Sequence, residues 1–370
     1  MCDEPLTKDD KEYTIAVIIP VYNCEQYLGN AIRSVLDQPC KDAFVIVVND
    51  GSRDGSLRVA ADIAAVSNRI LVISQENEGV SSARNKGIET ALKMHVRWLA
   101  FLDSDDTWVS DFYDEKLRDR ILAEDKDAYS FSYLITNQIM DRGRFCTPRP
   151  KDPITGEINR YGGYFCSYLY KTEKLKKYNI RFPKGIKTQE DRVFEYLFFS
   201  VCTSSMIIDR PIFLYRSNSR SVTHNPMETG DLYFAHVIPA WEYAYIKLKD
   251  LLGQTNTVSE KDLHACLTMQ KTYLAEFIGT ACENGMRPEL IRKTIDDSGR
   301  ADLFNHPEIW VDAKRKRLWE DFYKSPMAVY FRCRARGLGV SLLKRFRNTS
   351  IVERLRYPVD LKDILSEQSE

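Results

Sequence analysis

Apolar and polar positions alternate along the first hundred residues with two periods. Ile15 to Ile19 is a short continuous apolar run rich in β-branched residues, the pattern of a strand buried on both faces. Leu28, Ala31, Ile32, Val35 and Leu36 then recur at helical spacing, and Phe44 to Val48 is a second strand. Leu57, Ala60, Ala61 and Ala64 mark a second helix, and Ile70 to Ile73 a third strand. A third helix carries Ala83, Gly87, Ile88 and Ala91, with Ser81 or Ser82 as its expected N-cap. Trp98 to Leu102 is a fourth strand. This alternation predicts an α/β fold with a parallel sheet covered by helices, and ligands of such sheets bind beyond the carboxyl ends of the strands. The polar clusters of this stretch fall at those ends.

Beyond residue 110 the pattern is mixed. Tyr129 to Ile135 and Ile207 to Tyr215 read as strands, and Val193 to Val201 as a helix after Glu190-Asp191. Arg144 to Ile158 carries three prolines and predicts a loop, after which Tyr161 to Tyr170 returns to the sheet. Residues 230–324 read as mainly helical. From Lys314 to Arg356 thirteen Lys and Arg face only Glu320, Asp321 and Glu353.

Composition narrows this picture. At 370 residues the chain is long for one small domain, and 44% hydrophobic residues suffice for a core. Lys+Arg and Asp+Glu balance at 53 each, so nothing points to a nucleic-acid partner, and any electrostatic message is local. Nine cysteines without CxxC spacing suit buried, reduced thiols better than a zinc site or a disulfide framework. The first residues are polar and acidic and do not resemble a signal peptide, and no run of roughly 18 apolar residues offers a membrane span. A cytoplasmic location is expected.

Four polar motifs carry candidate chemistry. Asp103-Ser104-Asp105-Asp106 places three carboxylates after an apolar strand. They repel unless one is protonated or a hard divalent ion joins them, although an acidic helix-capping turn has the same sequence. Asn49-Asp50-Gly51-Ser52 offers a strand-end carboxylate to a base or ribose, and is equally an ordinary turn. Asn77-Glu78-Gly79 through Arg84-Asn85 sets a guanidinium near a helix N-terminus, where it can hold a phosphate, orient a carboxylate or face solvent. Glu190-Asp191 suits a general base on a rigid element, or acids favoured at a helix start.

Taken in order, Val17 to Asn23, Asn49 to Ser52, Gly79 to Asn85, Phe101 to Asp106, Glu190-Asp191 and Tyr215-Arg216 resemble the family 2 glycosyltransferases of the GT-A fold, over roughly residues 14–225. The resemblance implies a nucleotide-binding sheet of Rossmann type with a mainly helical C-terminal region. Residues 1–110 would be the nucleotide-sugar half of the GT-A domain and 111–225 the acceptor and catalytic-base half. Residues 226–325 would form the helical region and 326–370 a basic amphipathic tail. It implies that Pro20, Val21 and Tyr22 line the base pocket, Asp50 binds uracil or ribose, Arg84 lies near the nucleotide and Asp103 meets the donor ribose. Asp105 would hold Mn²⁺ or Mg²⁺, and Asp191 would be the base of an inverting transfer from a UDP-sugar to a saccharide or lipid-linked saccharide hydroxyl in glycan synthesis. Glu190 is the second candidate base, and Arg216 to His224 a closing lid. Tyr215-Arg216 departs from the QxxRW pattern of processive synthases, so single sugar addition is expected. An inactive nucleotide-sugar-binding component of an assembly complex is the competing reading. A nucleotidyltransferase would need a Gly-rich basic loop where Pro20 to Asn23 stand. The tail, with apolar residues among its cations, is expected either to lie on an anionic membrane surface or to pack on the protein.

Overall fold

The computed structural model describes residues 13–140, 142–146, 164–217, 232–298, 313–334 and 359–360. Its first part alternates β1 (Ile15–Val21), α1 (Glu25–Leu36), β2 (Ala43–Asp50), α2 (Ser56–Val66), β3 (Ile70–Gln75), α3 (Val80–Lys93) and β4 (Trp98–Phe101). These strands lie parallel in the order β3-β2-β1-β4, with Ile15 opposite both Ala43 and Trp98. Every residue of β1 and β2 is buried, as a strand covered on both faces requires. Each fully buried Ile or Val there contributes about 1.5–3 kcal/mol relative to exposure.

The second part closes the same sheet. β5 (Thr107–Trp108), α4 (Glu115–Glu124), β6 (Ala128–Thr136), β7 (Arg142–Cys146), β8 (Tyr168–Lys171), α5 (Thr172–Lys177), α6 (Glu190–Ser200) and β9 (Ser205–Arg216) follow in turn. β8 pairs antiparallel with β4 and with the start of β6, and β7 pairs antiparallel with the end of β6. β9 runs parallel to β6 and antiparallel to β5. The register between β6 and β9 slips at Ser132 opposite Pro211, where proline has no N–H to give the ladder. The short strand β10 (Val359–Asp360) pairs with β7. One sheet therefore crosses residue 110 without a break.

Phe101, at the end of β4, anchors the floor beneath the strand ends. Its ring meets Phe165, Tyr170, Phe182 and Phe194 at centroid distances of 5.3–5.8 Å, and Phe182 stacks on Phe194 at 4.0 Å. Phe194 places α6 against the sheet.

The C-terminal part is helical. A π-helical turn (Leu232–Val237) leads into α7 (Ile238–Leu251), α8 (Glu260–Glu283), α9 (Pro288–Asp297) and α10 (Ala313–Lys324), and residues 326–334 are helical as well. α7 and α8 meet α6 through Tyr196, whose ring lies 5.4 Å from that of Trp241 and whose hydroxyl donates to the Asp262 carbonyl at 3.0 Å. A second core gathers Phe277, Ile278, Ile291, Phe322, Val329 and Cys333. No described helix is long and apolar enough to cross a membrane.

Two local readings need correction. The buried face of α2 is Ser56, Ala60 and Ile63, while Leu57 and Ala61 point outward. α3 is capped by Gly79 instead of Ser81 or Ser82, because Gly79 takes φ +91° and the chain becomes helical at Val80. The described cysteines form no disulfide, and Cys40, Cys166, Cys202, Cys266, Cys282 and Cys333 are buried. The expected loop over Arg144 to Ile158 lies largely outside the described residues, and its first residues belong to β7.

Gly87 sets how closely α3 approaches the sheet. A Cβ there would sit 2.4 Å from Cγ2 of Ile18, a β-branched side chain fixed in β1. On an open helix face Gly→Ala would stabilise by about 1 kcal/mol. Here the overpacking, about 1–3 kcal/mol, outweighs that gain. Gly87→Ala is expected to lower the melting temperature by a few degrees in a thermal scan, and a rise would contradict this packing.

Candidate active site

The site forms where β1, β2, β3 and β4 end, as the winding of the sheet dictates. The loops there are laced to one another. Asn23 N–H donates to Ser52 Oγ at 3.0 Å and Arg53 N–H returns a bond to Asn23 Oδ1 at 2.8 Å. Cys24 N–H donates to Ser56 Oγ at 2.9 Å, and Glu25 N–H to Asp54 Oδ2 at 3.0 Å. These bonds hold the loop that carries Tyr22 against the loop after β2. The Cys24 thiol is pushed up to about 11, by burial first and by Asp105 further, against a hydrogen bond from Ser104. It is favoured as the neutral thiol near neutral pH.

The strand-end carboxylates have separate fates. Asp50 accepts from Gln75 Nε2 at 2.8 Å, Glu78 N–H at 3.0 Å and Gly79 N–H at 2.9 Å, so it fastens the β3–α3 loop while its edge still lines the cleft. Asp103 accepts from Arg84 Nη2 at 3.0 Å and from Tyr164 Oη at 3.3 Å. Asp106 turns into the protein. Its Oδ1 accepts from Arg216 N–H at 2.8 Å, and its buried Oδ2 has no hydrogen-bond partner among the described residues. Burial, and then Asp105 and Asp103, raise the Asp106 carboxyl far above the usual range, so the neutral acid is favoured. Of the three acids in this run, only Asp103 and Asp105 face the cleft.

Arg84 joins the two halves of the domain. Its guanidinium is almost fully buried and forks to Asp103 and to Glu190 Oε1, each at 3.0 Å, lying 4.3 Å from the centroid of the Phe165 ring. Burial opposes its charge, but Asp103 and Glu190 outweigh that and raise its pKa. Burial raises Glu190 and neighbouring Asp191 adds to it, while Arg84 pulls the other way. Asp191 stands next along α6, only partly buried, with Oδ1 accepting from Arg192 N–H at 2.7 Å.

The cleft has a volume of about 710 Å³, within the range of small-molecule sites. Pro20, Val21 and Tyr22 form one wall, Asp50 and residues 77–81 a second, Asp103 to Asp105 a third. Gly185, Ile186 and Lys187, five to three residues before Glu190, close the fourth. The sequence pattern did not point to this fourth wall. Its signal was the Lys184-Gly185 turn just ahead of Glu190-Asp191. Tyr164 was missed as well, since its ring reaches Asp103 from an aromatic run that reads as strand.

Two assignments change. Arg84 does not line the cleft; both ends of its fork are committed to carboxylates, so it orients acids and does not face a phosphate. Arg216 is no part of a free lid. Its Nε donates to the Asp105 carbonyl at 2.9 Å, Nη1 to the Gln138 carbonyl, and its guanidinium lies 4.6 Å from the Tyr27 ring centroid. His224 lies outside the described residues.

Comparison with known proteins bears on the family and the fold. The model of the family described as glycosyl transferase family 2 matches residues 16–213. A glycosyltransferase of Bacillus subtilis, the uncharacterized EpsJ, is 31% identical over 293 residues, covering 76% of this chain and 82% of its own. Glycosyltransferase GlyA of Streptococcus pneumoniae is 34% identical over 193 residues, 52% of this chain and 26% of its own length. Among solved structures, S. aureus TarS 1-349 superposes with a TM-score of 0.61 at 18% identity, covering 87% of this chain and 90% of TarS 1-349. TarS 1-349 in complex with UDP-GlcNAc superposes with a TM-score of 0.57 at 18% identity, covering 84% of this chain and 92% of that one. The match over residues 16–213 and the identity shared with EpsJ place this chain in glycosyl transferase family 2, as an α/β glycosyltransferase of GT-A architecture with a helical C-terminal region.

Proposed function

We propose that this enzyme transfers a sugar from a UDP-sugar to a hydroxyl of a saccharide or lipid-linked saccharide in glycan synthesis, with inversion at the anomeric carbon. The observation that carries this reading is that one cleft unites the Asp50 wall, the Asp103 and Asp105 wall and the residues just before Glu190-Asp191. The nucleotide would lie between Pro20 to Tyr22 and Asp50, with Asp103 turned to the ribose. A UDP-GlcNAc complex of the similarly folded TarS supports a uridine donor.

The donor set also fits a divalent cation. Among the described residues no group of three or more His, Cys, Asp or Glu is placed to hold a metal unaided. Asp105 at the cleft, with diphosphate oxygens and water completing the shell, matches how Mg²⁺ is held at phosphate sites. The chemistry such an ion supplies there is neutralisation of charge on a departing diphosphate.

The protein's own steps follow. Asp191 takes the proton from the acceptor hydroxyl as its oxygen bonds to the anomeric carbon. The carbon–oxygen bond to the diphosphate breaks on the opposite face, and its electron pair leaves with the UDP. A single displacement of this kind inverts configuration, by the same logic as in inverting glycosidases. Gly185 to Lys187 shield the donor from water on the fourth side.

The outer face of the last helical segment fits a place at the cytoplasmic surface of a membrane. Val329 and Cys333 point inward, while Met327 is 47% and Phe331 64% exposed. The sequence beyond adds Lys344, Arg345, Arg347, Arg354 and Arg356, each contributing about 1 kcal/mol near anionic headgroups. Such a surface would bring the enzyme to a lipid-linked acceptor.

Three outcomes are expected. Calorimetry should show UDP binding weakened at least about tenfold by EDTA and by Asp105→Ala, and equal affinity with and without metal would remove the cation. Asp191→Asn should keep UDP affinity and lose roughly 10²–10⁴-fold in turnover across a panel of UDP-sugars, by UDP release. Near-normal turnover would move the base elsewhere. Flotation with anionic liposomes at low salt should carry the full chain and lose most of it for Met327→Ser/Phe331→Ser. A full chain that stays behind would leave a soluble acceptor as the better reading.

A further inference from the structure

The residue just before Glu190-Asp191 has an unusual backbone. Gln189, the N-cap of α6, sits at φ +67°, a left-handed conformation that L side chains other than Asn and Asp rarely adopt. N-cap residues usually stabilise a helix by accepting a hydrogen bond from its first turn, and Gln189 makes no such bond. Its Oε1 instead accepts from Tyr273 Oη at 3.0 Å, across from α8 of the helical region. The Arg192 side chain also reaches that hydroxyl. Nearby, Lys187 N–H donates to His236 Nδ1 at 3.3 Å. The helical region thus grips this loop at Lys187 and at Gln189, on either side of Thr188.

We propose that Tyr273 is a positioning residue for catalysis, holding Gln189 in its left-handed conformation and with it the first turn of α6, where Glu190 meets Arg84 and Asp191 stands next. The inference rests on the reading of Asp191 as the base. The Gln189 carbonyl accepts the first intrahelical bond of α6, from Val193 N–H at 3.0 Å, so the orientation of this one peptide directs the whole first turn. A Gln189 released from Tyr273 relaxes toward negative φ and carries both carboxylates with it. Reacting groups displaced by an ångström lose rate far more than binding.

The test is a cycle of four proteins: the full chain, Tyr273→Phe, Gln189→Gly and the double variant. Tyr273→Phe keeps the ring and removes only the hydroxyl. Glycine adopts positive φ without being held. Tyr273→Phe is expected to speed amide hydrogen exchange over residues 190–193 and to lower kcat for UDP release from UDP-GlcNAc roughly tenfold, with UDP affinity within about twofold. In the Gln189→Gly background the same change is expected to cost less than about twofold. An equal effect of Tyr273→Phe in both backgrounds, or unchanged exchange over 190–193, overturns the proposal. If UDP-GlcNAc is not turned over, the exchange cycle decides alone. Asp191→Asn separates the two readings: full turnover in that variant sinks the base assignment, whereas the exchange cycle still judges the brace.

Discussion

The site depends on one buried cation shared between two carboxylates. Arg84 comes from α3, Asp103 from the end of β4 and Glu190 from the first turn of α6, and the guanidinium fork holds both acids at 3.0 Å. A planar fork can do this where a lysine ammonium cannot, because its two ends meet two acceptors at fixed angles. The aromatic floor of Phe165 and Phe182 strips water from the cation and leaves it dependent on its acids. Removing one member of such a buried set typically costs about 3–5 kcal/mol, since the others are left charged and unpaired. The fork joins the wall that would meet the donor to the helix that would supply the base.

The helical region takes part in this arrangement from the other side. Tyr196 and Trp241 join α6 to α7, and Gln189, the residue ahead of the Glu190 arm, is tied to Tyr273. α6 is therefore fixed on one side by Arg84 of α3 and by its own Phe194 against Phe101, and on the other by the C-terminal helices. A region beyond residue 213, where the family match ends, thus touches the turn where Glu190 and Asp191 are set.

Much of the fold was legible in the sequence because β1, β2 and β4 are buried on both faces and leave unbroken apolar runs. The helix α1 was legible for the complementary reason, a single apolar stripe with period 3.6. α2 misled because alanine is compatible with either face, so Ala61 pointed outward without any cost the pattern could show. The cap of α3 was hidden because serine is a good cap, and only the bonds from Gly79 and Glu78 to Asp50 decide where the helix begins. Arg84 was placed near the site with phosphate and carboxylate both open as its partner, and Arg216 was assigned to a lid. Their partners lie 106 and 110 positions away, at Glu190 and Asp106, distances over which no periodicity speaks.

The acids of the cleft show why a motif is not a ligand set. Asp50 spends its oxygens on backbone N–H groups, and Asp106 is buried against Arg216 in a form that favours its proton. Asp103 is turned by Arg84 and Tyr164, and Asp105 lines the cleft beside it. Like charges this close would otherwise force protons onto several of them. The protein resolves the conflict by giving each carboxylate a different neighbour: amides for Asp50, burial for Asp106, a guanidinium for Asp103. The strand ends can then carry these acids side by side.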